Sequence, residues 1–307
     1  MGKPSNARLV ALLSGAALAL FTSAACAQSA SPAGDAGANQ SPSPSPSPSP
    51  SPSPSQDQPS LNIVGLTDDN KLVQFSSTQP TPRETGTISG LSGGDTKLIG
   101  IDYRVQDSKL YGVGDKGGLY TLETNGQATS VGRLTIAPQG TNFGVDFNPA
   151  ANALRVVSDT GQNLRQPFAA TPLAATVADT QLSVPPAAPP AAGITGAAYT
   201  NNDADPNTAT TLFDLDTTTD QVVIQSPANS GQLAATGKLT VDASPAAGFD
   251  IYSVIRGGVT TSQLGFATLQ VGGQYGLYRI TVSTGKAELV GPLGRSVVDL
   301  AIPLNQS

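Results

Sequence analysis

The second part of the chain is a succession of short apolar runs. From Leu61 onward, runs of β-branched and other apolar residues alternate with turns rich in Gly, Asn, Asp and Thr, about every ten residues. No helical period runs through this part, and short runs at such spacing are typical of all-β proteins. The sequence therefore predicts an all-β domain over residues 61–303.

One apolar strand recurs along this domain. Its copies read GIDY at Gly100–Tyr103, GVDF at Gly144–Phe147, GAAY at Gly196–Tyr199, GFDI at Gly248–Ile251 and VVDL at Val297–Leu300. The third residues of the copies, at positions 102, 146, 198, 250 and 299, are separated by 44, 52, 52 and 49 residues. Intervals of this length fit a repeating unit of four strands.

The fifth copy of the repeat is divided between the two ends of the domain. The segment SVVDLAIP near the C-terminus supplies a first strand, and nothing follows it. The segments LNIVGLTDDN, KLVQFSS and TGTISGL supply three further strands without a first one. Joining them predicts a β-propeller of five four-stranded blades, one of which closes through both termini. A sandwich, a solenoid and a six-bladed ring are the alternatives.

The N-terminal segment has the form of a secretory signal peptide, predicted over residues 1–27. Lys3 and Arg8 precede an apolar run, Leu9–Phe21, and small residues follow it. Two processing sites remain open. Cleavage after the motif Ala-Cys-Ala would remove Cys26, whereas the motif Ser-Ala-Ala-Cys resembles a lipobox, in which Cys26 would carry a lipid.

A spacer follows the signal peptide. Ser and Pro alternate over Ser41–Ser55, within a stretch of small and polar residues at positions 28–60. This composition favours extended polyproline II and cannot form a packed core. We expect a disordered linker that acts as a stalk, which would favour an anchor at Cys26. Residues 304–307 are predicted to be a short tail.

The cysteine count and the net charge limit which disulfides and which partners the protein can have. Cys26 is the only cysteine, so the mature domain holds no disulfide and depends on packing. The formal net charge is −6, with no basic stripe, which argues against a nucleic-acid partner. We expect an exported monomer, either extracellular, periplasmic or at the cell surface, that touches a membrane only through a lipid at Cys26.

Two long motifs carry a family resemblance. The segment NFGVDFNPAANALRVVSDTGQNLR at Asn142–Arg165 and the segment GAAYTNNDADPNTATTLFDLDT at Gly196–Thr217 resemble the secreted bacterial family called domain of unknown function 4394. The resemblance extends over roughly residues 61–302. It implies an often exported, propeller-like β-domain, and it brings no activity and no catalytic residues.

The absence of two residue types limits the chemistry. The chain has no His and no Trp, which excludes Ser-His-Asp triads, Cys-His pairs and His-ligated metals. No glycine-rich phosphate-binding motif follows a predicted strand. We therefore expect no cofactor and no metal.

The recurrent aspartates are the candidates for acid-base chemistry. They are Asp102, Asp146, Asp250 and Asp299. First strands of a propeller approach its axis, so these carboxylates could serve a hydrolase acting on a glycan or a lactone. Their regular recurrence favours a structural role instead, in which each accepts a backbone N–H from the next blade.

Two less regular segments are weaker candidates. One hairpin concentrates residues that could clamp an anionic or sugar ligand: Arg155, Ser158, Asp159, Gln162, Asn163 and Arg165. The two arginines could equally pair with nearby aspartates and hold blades together. One loop offers weak Ca²⁺ candidates, Asp203, Asp205 and Asn207, although a polar surface loop explains them as well.

A second set of aspartates follows the second strands. It consists of Asp68, Asp115, Asp159 and Asp216, and we interpret these residues as turn formers that bond the backbone two residues on. Taken together, the sequence indicates an exported, stalk-tethered β-propeller that acts as a binding or scaffold module for an unknown protein or glycan. The alternative is an extracytoplasmic hydrolase that uses the axial aspartates.

Overall fold

A computed structural model describes residues 59–187, 190–205, 208–257 and 259–306. The predicted signal peptide, Cys26 and nearly all of the predicted linker lie outside these residues, and so does Asn207. Within the described part of the chain, no helix is long and apolar enough to cross a membrane.

Five antiparallel four-stranded sheets make up the domain, and we number them as blades 1 to 5. Blade 1 contains β1 (Asn62–Thr67), β2 (Lys71–Ser76), β3 (Arg83–Thr87) and the last strand of the chain, β20 (Val297–Ala301). Blade 2 contains β4 (Leu98–Arg104), β5 (Lys109–Gly114), β6 (Gly118–Leu122) and β7 (Ala128–Arg133). Blade 3 contains β8 (Phe143–Asn148), β9 (Ala153–Ser158), β10 (Asn163–Pro167) and β11 (Val177–Ala178).

The last two blades complete the set. Blade 4 contains β12 (Ile194–Tyr199), β13 (Leu212–Asp216), β14 (Gln221–Gln225) and β15 (Leu233–Lys238). Blade 5 contains β16 (Gly248–Arg256), β17 (Val259–Val271), β18 (Gln274–Ile280) and β19 (Ala287–Pro292). The first strands contact one another in a closed cycle, β20 with β4, β8, β12, β16 and β20 again. This arrangement confirms the predicted five-bladed propeller with innermost first strands.

The two ends of the domain meet in blade 1. Strand β20 pairs antiparallel with β1, with Val64 opposite Ala301 and Gly65 opposite Leu300. The predicted closure by both termini is therefore confirmed. Gln306 adds a second tie, because its amide side chain accepts the Asn62 N–H at 2.6 Å and donates to the Asn62 carbonyl at 3.0 Å.

The hydrophobic cores lie between neighbouring blades. Leu215 of blade 4, for example, packs with Phe249 and Ala267 of blade 5, and all three are almost completely buried. Each blade has apolar residues on both faces, so it cannot bury them without its neighbours. Full burial of one such side chain contributes roughly 1.5–3 kcal/mol, which makes the closed ring a cooperative unit.

Three strands differ from the expected pattern. Strand β3 lies at Arg83–Thr87 rather than over the segment Thr85–Leu91, because Ile88 already donates its N–H to the Asn70 carbonyl. Strand β11 has only two residues. Strand β17 has 13 residues and begins at Val259, so that β16 and β17 form an extended hairpin.

Candidate functional site

The four recurrent aspartates each join one blade to the next. Asp299 accepts the Ile101 N–H at 2.8 Å, Asp102 the Phe147 N–H at 2.7 Å, Asp146 the Tyr199 N–H at 3.1 Å and Asp250 the Ile302 N–H at 2.6 Å. These bonds run from blade 1 to 2, from 2 to 3, from 3 to 4 and from 5 to 1. We call these four residues the axial aspartates. Each makes the bond expected of a structural residue, since it accepts a backbone N–H from the next blade.

The joint between blades 4 and 5 is built differently. Ala198 occupies the equivalent position and packs into the apolar core against blade 5. Ser253 supplies the polar link instead. Its Oγ accepts the Asn201 N–H at 2.8 Å, and its own N–H donates to Asn202 Oδ1 at 3.1 Å. A serine of β16 and the loop that follows β12 thus replace the carboxylate at the one position where the repeat lacks it.

Burial and mutual repulsion raise the pKa values of the axial aspartates. Each of the four is at most 7% exposed. Burial raises the pKa of Asp250 to about 7, although its bonds from Ile302 and Ile251 act in the opposite direction. Burial holds the pKa of Asp102, Asp146 and Asp299 well above the usual range, and the charge of Asp250 adds to this rise in each case.

Three of these carboxylates converge. Oxygen atoms of Asp102, Asp146 and Asp250 lie within 4.8 Å of one another, a geometry in which they could share a cation. The cavity beside them measures only about 20 Å³, close to the space of one water molecule. A cluster of acidic residues does not by itself define a metal site, and we assign none here. The cavity is too small to admit a sugar ring.

A larger opening lies where the first strands begin. It measures about 180 Å³ and draws residues from blades 1, 2, 3 and 5. Its lining consists of Thr67, Asp68, Asn70, Lys97, Leu98, Ile99, Thr141, Asn142, Phe143, Ala246, Ala247 and Val298. We call it the entry mouth. The cavity beside the axial aspartates is lined instead by residues at the ends of first strands, such as Phe147 and Tyr199, so the two openings lie at opposite ends of the axis.

Two aspartates of the second set hold the backbone around the entry mouth. Asp115 accepts the N–H groups of Thr96 and Lys97 at 2.7 and 3.3 Å. Asp159 accepts those of Thr141 and Asn142, each at 3.0 Å to the nearer oxygen. These carboxylates reach across to the start of the first strand rather than to the backbone two residues on. The protein's own carboxylates therefore bond the backbone of the mouth at blades 2 and 3.

Asp216 follows the expected turn pattern more closely. Its carboxylate accepts the N–H groups of Thr218 and Thr219, both at 3.0 Å. The difference has a physical reason, since the turn after Asp216 provides its own donors. In blades 2 and 3 the nearest donors belong to the segment that enters the first strand.

Arg155 is the centre of a buried polar network between blades 3 and 4. Its side chain is 2% exposed and donates to Asp179 at 2.8 Å. It also donates to Asn163 at 2.7 Å, to Asn229 at 2.8 Å and to the Tyr199 hydroxyl at 3.3 Å. These contacts occupy the guanidinium with groups of the protein itself, so an external ligand would have to displace them.

The other residues of this hairpin also have internal partners. Arg165 donates to both oxygens of Asp179 at 3.0 Å, and Asn163 donates to the Thr180 carbonyl at 2.9 Å. Ser158 is fully buried, and Gln162 bonds the backbone of Gln139 at 2.8 Å. Arg155 thus joins blades 3 and 4 through Tyr199 and Asn229, whereas Arg165 pairs with an aspartate of its own blade. Ligand binding by this set stays a prediction.

The loop with the predicted calcium candidates is folded by its own side chains. Asp203 donates its N–H to Asn201 Oδ1 at 2.9 Å, and Asp203 Oδ1 accepts the Asp205 N–H at 2.8 Å. Such bonds are the ordinary way in which Asn and Asp form turns. The described part of the loop therefore fits the polar surface alternative.

Asp214 is a buried carboxylate that sequence reasoning missed. It lies in β13 opposite Ala197 of β12, on the face that packs towards blade 3. Its side chain is completely buried, and neither of its oxygens has a hydrogen-bond partner in the described part of the protein. Burial raises its pKa well above the usual range, opposed by the nearby charge of Arg155. An Asp inside the apolar run LFDLD was the available signal.

We expect the substitution Asp214→Asn to stabilise the protein increasingly as the pH rises from 5 to 8. Because the pKa of Asp214 is raised in the folded state, folding favours its protonated form, and stability is lost as the carboxyl ionises. The gain at pH 8 relative to pH 5 should be about 1–3 kcal/mol, the cost of an unsatisfied buried polar group. Urea unfolding at both pH values measures it, and an equal effect at the two values would contradict the prediction.

The closed ring of four-stranded sheets defines the protein as a five-bladed β-propeller. The family is shown by sequence. A family model described as domain of unknown function (DUF4394) matches residues 71–301, and the chain belongs to this family. The predicted resemblance is thereby confirmed, and no curated protein matches the chain significantly.

Several solved structures are similar to this chain at low sequence identity. A chain of a nidogen/laminin complex is similar at 11% identity and a TM-score of 0.45, covering 81% of this chain and 100% of its own. A structural genomics protein of unknown function from Bacteroides thetaiotaomicron has 13% identity and a TM-score of 0.43, covering 81% and 68%. An auxiliary nutrient binding protein from Bacteroides ovatus has 12% identity and a TM-score of 0.37, covering 57% and 46%.

Proposed function

We propose that this protein is an exported binding module that contacts its ligand at the entry mouth. The observation that carries the proposal is the preformed polar opening of about 180 Å³, whose backbone Asp115 and Asp159 hold in place. A rigid site loses little conformational entropy when a ligand binds. The size suits one terminal group of a larger molecule rather than a whole cofactor.

The residues of the mouth favour a glycan as the ligand. Lys97 and Asp68 are exposed and supply charged hydrogen-bonding groups of both signs. Phe143 is half-buried and supplies an aromatic ring to the lining in a chain without Trp. A polar rim beside one ring and small residues such as Ala246 and Ala247 matches a sugar, which has both hydroxyl groups and an apolar face.

A hydrolase that uses the axial aspartates is the second candidate. The convergence of Asp102, Asp146 and Asp250 favours it, because carboxylates with raised pKa values can act as general acids. Against it stand the backbone bonds of these carboxylates and the space of about 20 Å³ beside them. We therefore prefer binding to catalysis.

Export and tethering follow from the N-terminal segment. Residues 1–27 have the form of a signal peptide, and residues 28–60 have the composition of a stalk. Whether Cys26 carries a lipid or is removed with the signal peptide decides between a surface-anchored and a released protein. In both cases the stalk would present a monomeric propeller to its ligand outside the cytoplasm.

The test of ligand binding is a glycan array probed with the full mature chain. We expect a bound glycan to lose about tenfold in affinity, or 1.4 kcal/mol, in the variant Lys97→Ala, because one charge-assisted hydrogen bond is removed. The matched control is Lys109→Ala, an exposed lysine of blade 2 outside the mouth. Equal binding by both variants, or no bound glycan on the array, would refute glycan binding at the mouth.

A further inference from the structure

Strand β17 is longer than its blade requires. Its partner β18 pairs with it only from Gly265, opposite Ile280, to Val271. The six residues Val259–Leu264 pair with β16 alone. The second strands of the other blades have five or six residues each. Blade 5 therefore projects a two-stranded ribbon beyond the end of its third strand.

The outer edge of this ribbon faces a notch. The chain leaves β18 at Ile280 and turns away, and the notch beside the ribbon measures about 540 Å³. It is lined by residues 260–265 on one side and by residues 279–283 on the other. Within the described residues, the backbone of Val259–Leu264 has no hydrogen bond to any segment other than β16. We call this opening the edge notch.

The edge keeps the features that allow another strand to pair. An unpaired strand edge presents a row of N–H and C=O groups, and proteins usually protect it with Lys, Pro or a covering segment. The residues Thr260–Leu264 include neither Lys nor Pro. A bulge bends the tip of the ribbon near Ile255, but Ser262–Leu264 continue in regular register to Gly265.

The charge of this region differs from that of the rest of the chain. Between Asp250 and Glu288 the sequence contains no acidic residue, whereas it contains Arg256, Arg279 and Lys286. Arg279 lines the notch, and Arg256 is exposed near the tip of the ribbon. Glu288 on β19 lies opposite Arg279 and pairs with Lys286 at 2.6 Å, so three cations and one carboxylate leave this region with a net charge of +2. The formal net charge of the whole chain is −6. The region would attract an acidic partner and disfavour edge-to-edge pairing with a second copy of itself.

We propose that the edge notch binds an extended acidic peptide segment of another protein as an added strand along β17. Main-chain hydrogen bonds to Ser262–Leu264 provide the affinity, and Arg279 selects acidic side chains next to the edge. The proposal is independent of ligand binding at the entry mouth. The two surfaces lie on different elements, so variants of one leave the other intact.

An array of six-residue peptides tests the proposal. Peptides that alternate Val or Thr with Asp or Glu are compared with the same peptides carrying Lys. We expect only the acidic series to bind, and we expect alternate N-methylation of a bound peptide to abolish binding, because it removes main-chain donors. The variant Arg279→Glu should weaken binding at least about tenfold, whereas Lys109→Glu on blade 2 should not.

Hydrogen exchange locates the site without altering the protein. A bound peptide should slow exchange of amides within Ser262–Leu264, and those around Lys97 should stay unchanged. The proposal is overturned if no acidic peptide binds, if N-methylated peptides bind equally well, or if protection appears elsewhere. It is also overturned if the protein dimerises in sedimentation and Gln263→Pro abolishes the dimer, because the edge would then serve a second copy.

Discussion

Replacement of Arg155 by Met is expected to lower the free energy of unfolding by about 3–5 kcal/mol, the usual cost of removing one partner from a buried ion pair. The substitution leaves Asp179, whose side chain is 6% exposed, without its closest cation. It also leaves Asn163, Asn229 and Tyr199 without the donor that joins them. Urea unfolding at pH 7, followed by the change in midpoint, measures the loss.

Arg165 is the matched control for this prediction. It pairs with the same Asp179 carboxylate at 3.0 Å, but its side chain is 29% exposed. Water can replace it there, so Arg165→Met should cost no more than about 1 kcal/mol. If the two substitutions had equal effects, burial of Arg155 would not be the reason for its importance. A variant Arg155→Met of undiminished stability would show that the network contributes nothing to the joint of blades 3 and 4.

Arg155 and Arg165 show why contacts between side chains were harder to predict than the fold. Both arginines stand out in the sequence, and their alternative role in joining blades was recognised. Their partners could not be identified, because Asp179 and Asn229 lie 24 and 74 residues beyond Arg155. Neither belongs to a repeated motif. Contacts across blades depend on loop conformations that the strand pattern does not contain.

The fold was predictable because the repeat is written in the innermost strands. The strand motif that contains Asp102, Asp146, Asp250 and Asp299 recurs at similar spacing. In each of these copies the Asp accepts a backbone N–H from the next blade. The entry mouth was not predicted, although most of its residues lie at fixed positions relative to the recurrent strands. Lys97 and Asn142 precede the recurrent strands by a few residues, where the chain enters the axis.

The places where a blade differs from the repeat were less clearly marked in the sequence. The lengthened β17 follows from VTTSQLG, a run of strand-forming residues after the Gly pair at positions 257–258. Ala198 was visible as the one copy without Asp, but nothing in the sequence assigned its replacement to Ser253 and Asn202. A joint between a strand and a loop of the neighbouring blade is a tertiary feature, and periodicity cannot specify it.

The axial aspartates lead to the second large prediction, a loss of stability as the pH rises from 4 to 7. The pKa of Asp250 is about 7 in the folded protein, against an ordinary value of 3.8. Its contribution is therefore fully present below pH 3.8 and is lost as the pH passes through 7. The shift corresponds to roughly 4 kcal/mol at most.

The variant Asp250→Asn should flatten this dependence. An Asn cannot ionise, and like the protonated carboxyl it keeps one oxygen for the N–H of Ile302 or Ile251. The effect should exceed that of one titrating group, because the charge of Asp250 also raises the pKa values of Asp102 and Asp146. Urea unfolding between pH 4 and 8 with EDTA present measures the slope.

Two variants separate charge from hydrogen bonding in this test. Asp242→Asn makes the same change of charge at an exposed position and should leave the slope as it is. Asp250→Ala removes the acceptor as well, so it should flatten the slope and cost a further 1–3 kcal/mol or so at every pH. If Asp250→Asn kept the slope of the parent protein, ionisation of Asp250 would not be the cause of the pH dependence. Its carboxylate would then contribute to the joint between blades 5 and 1 only as a hydrogen-bond acceptor.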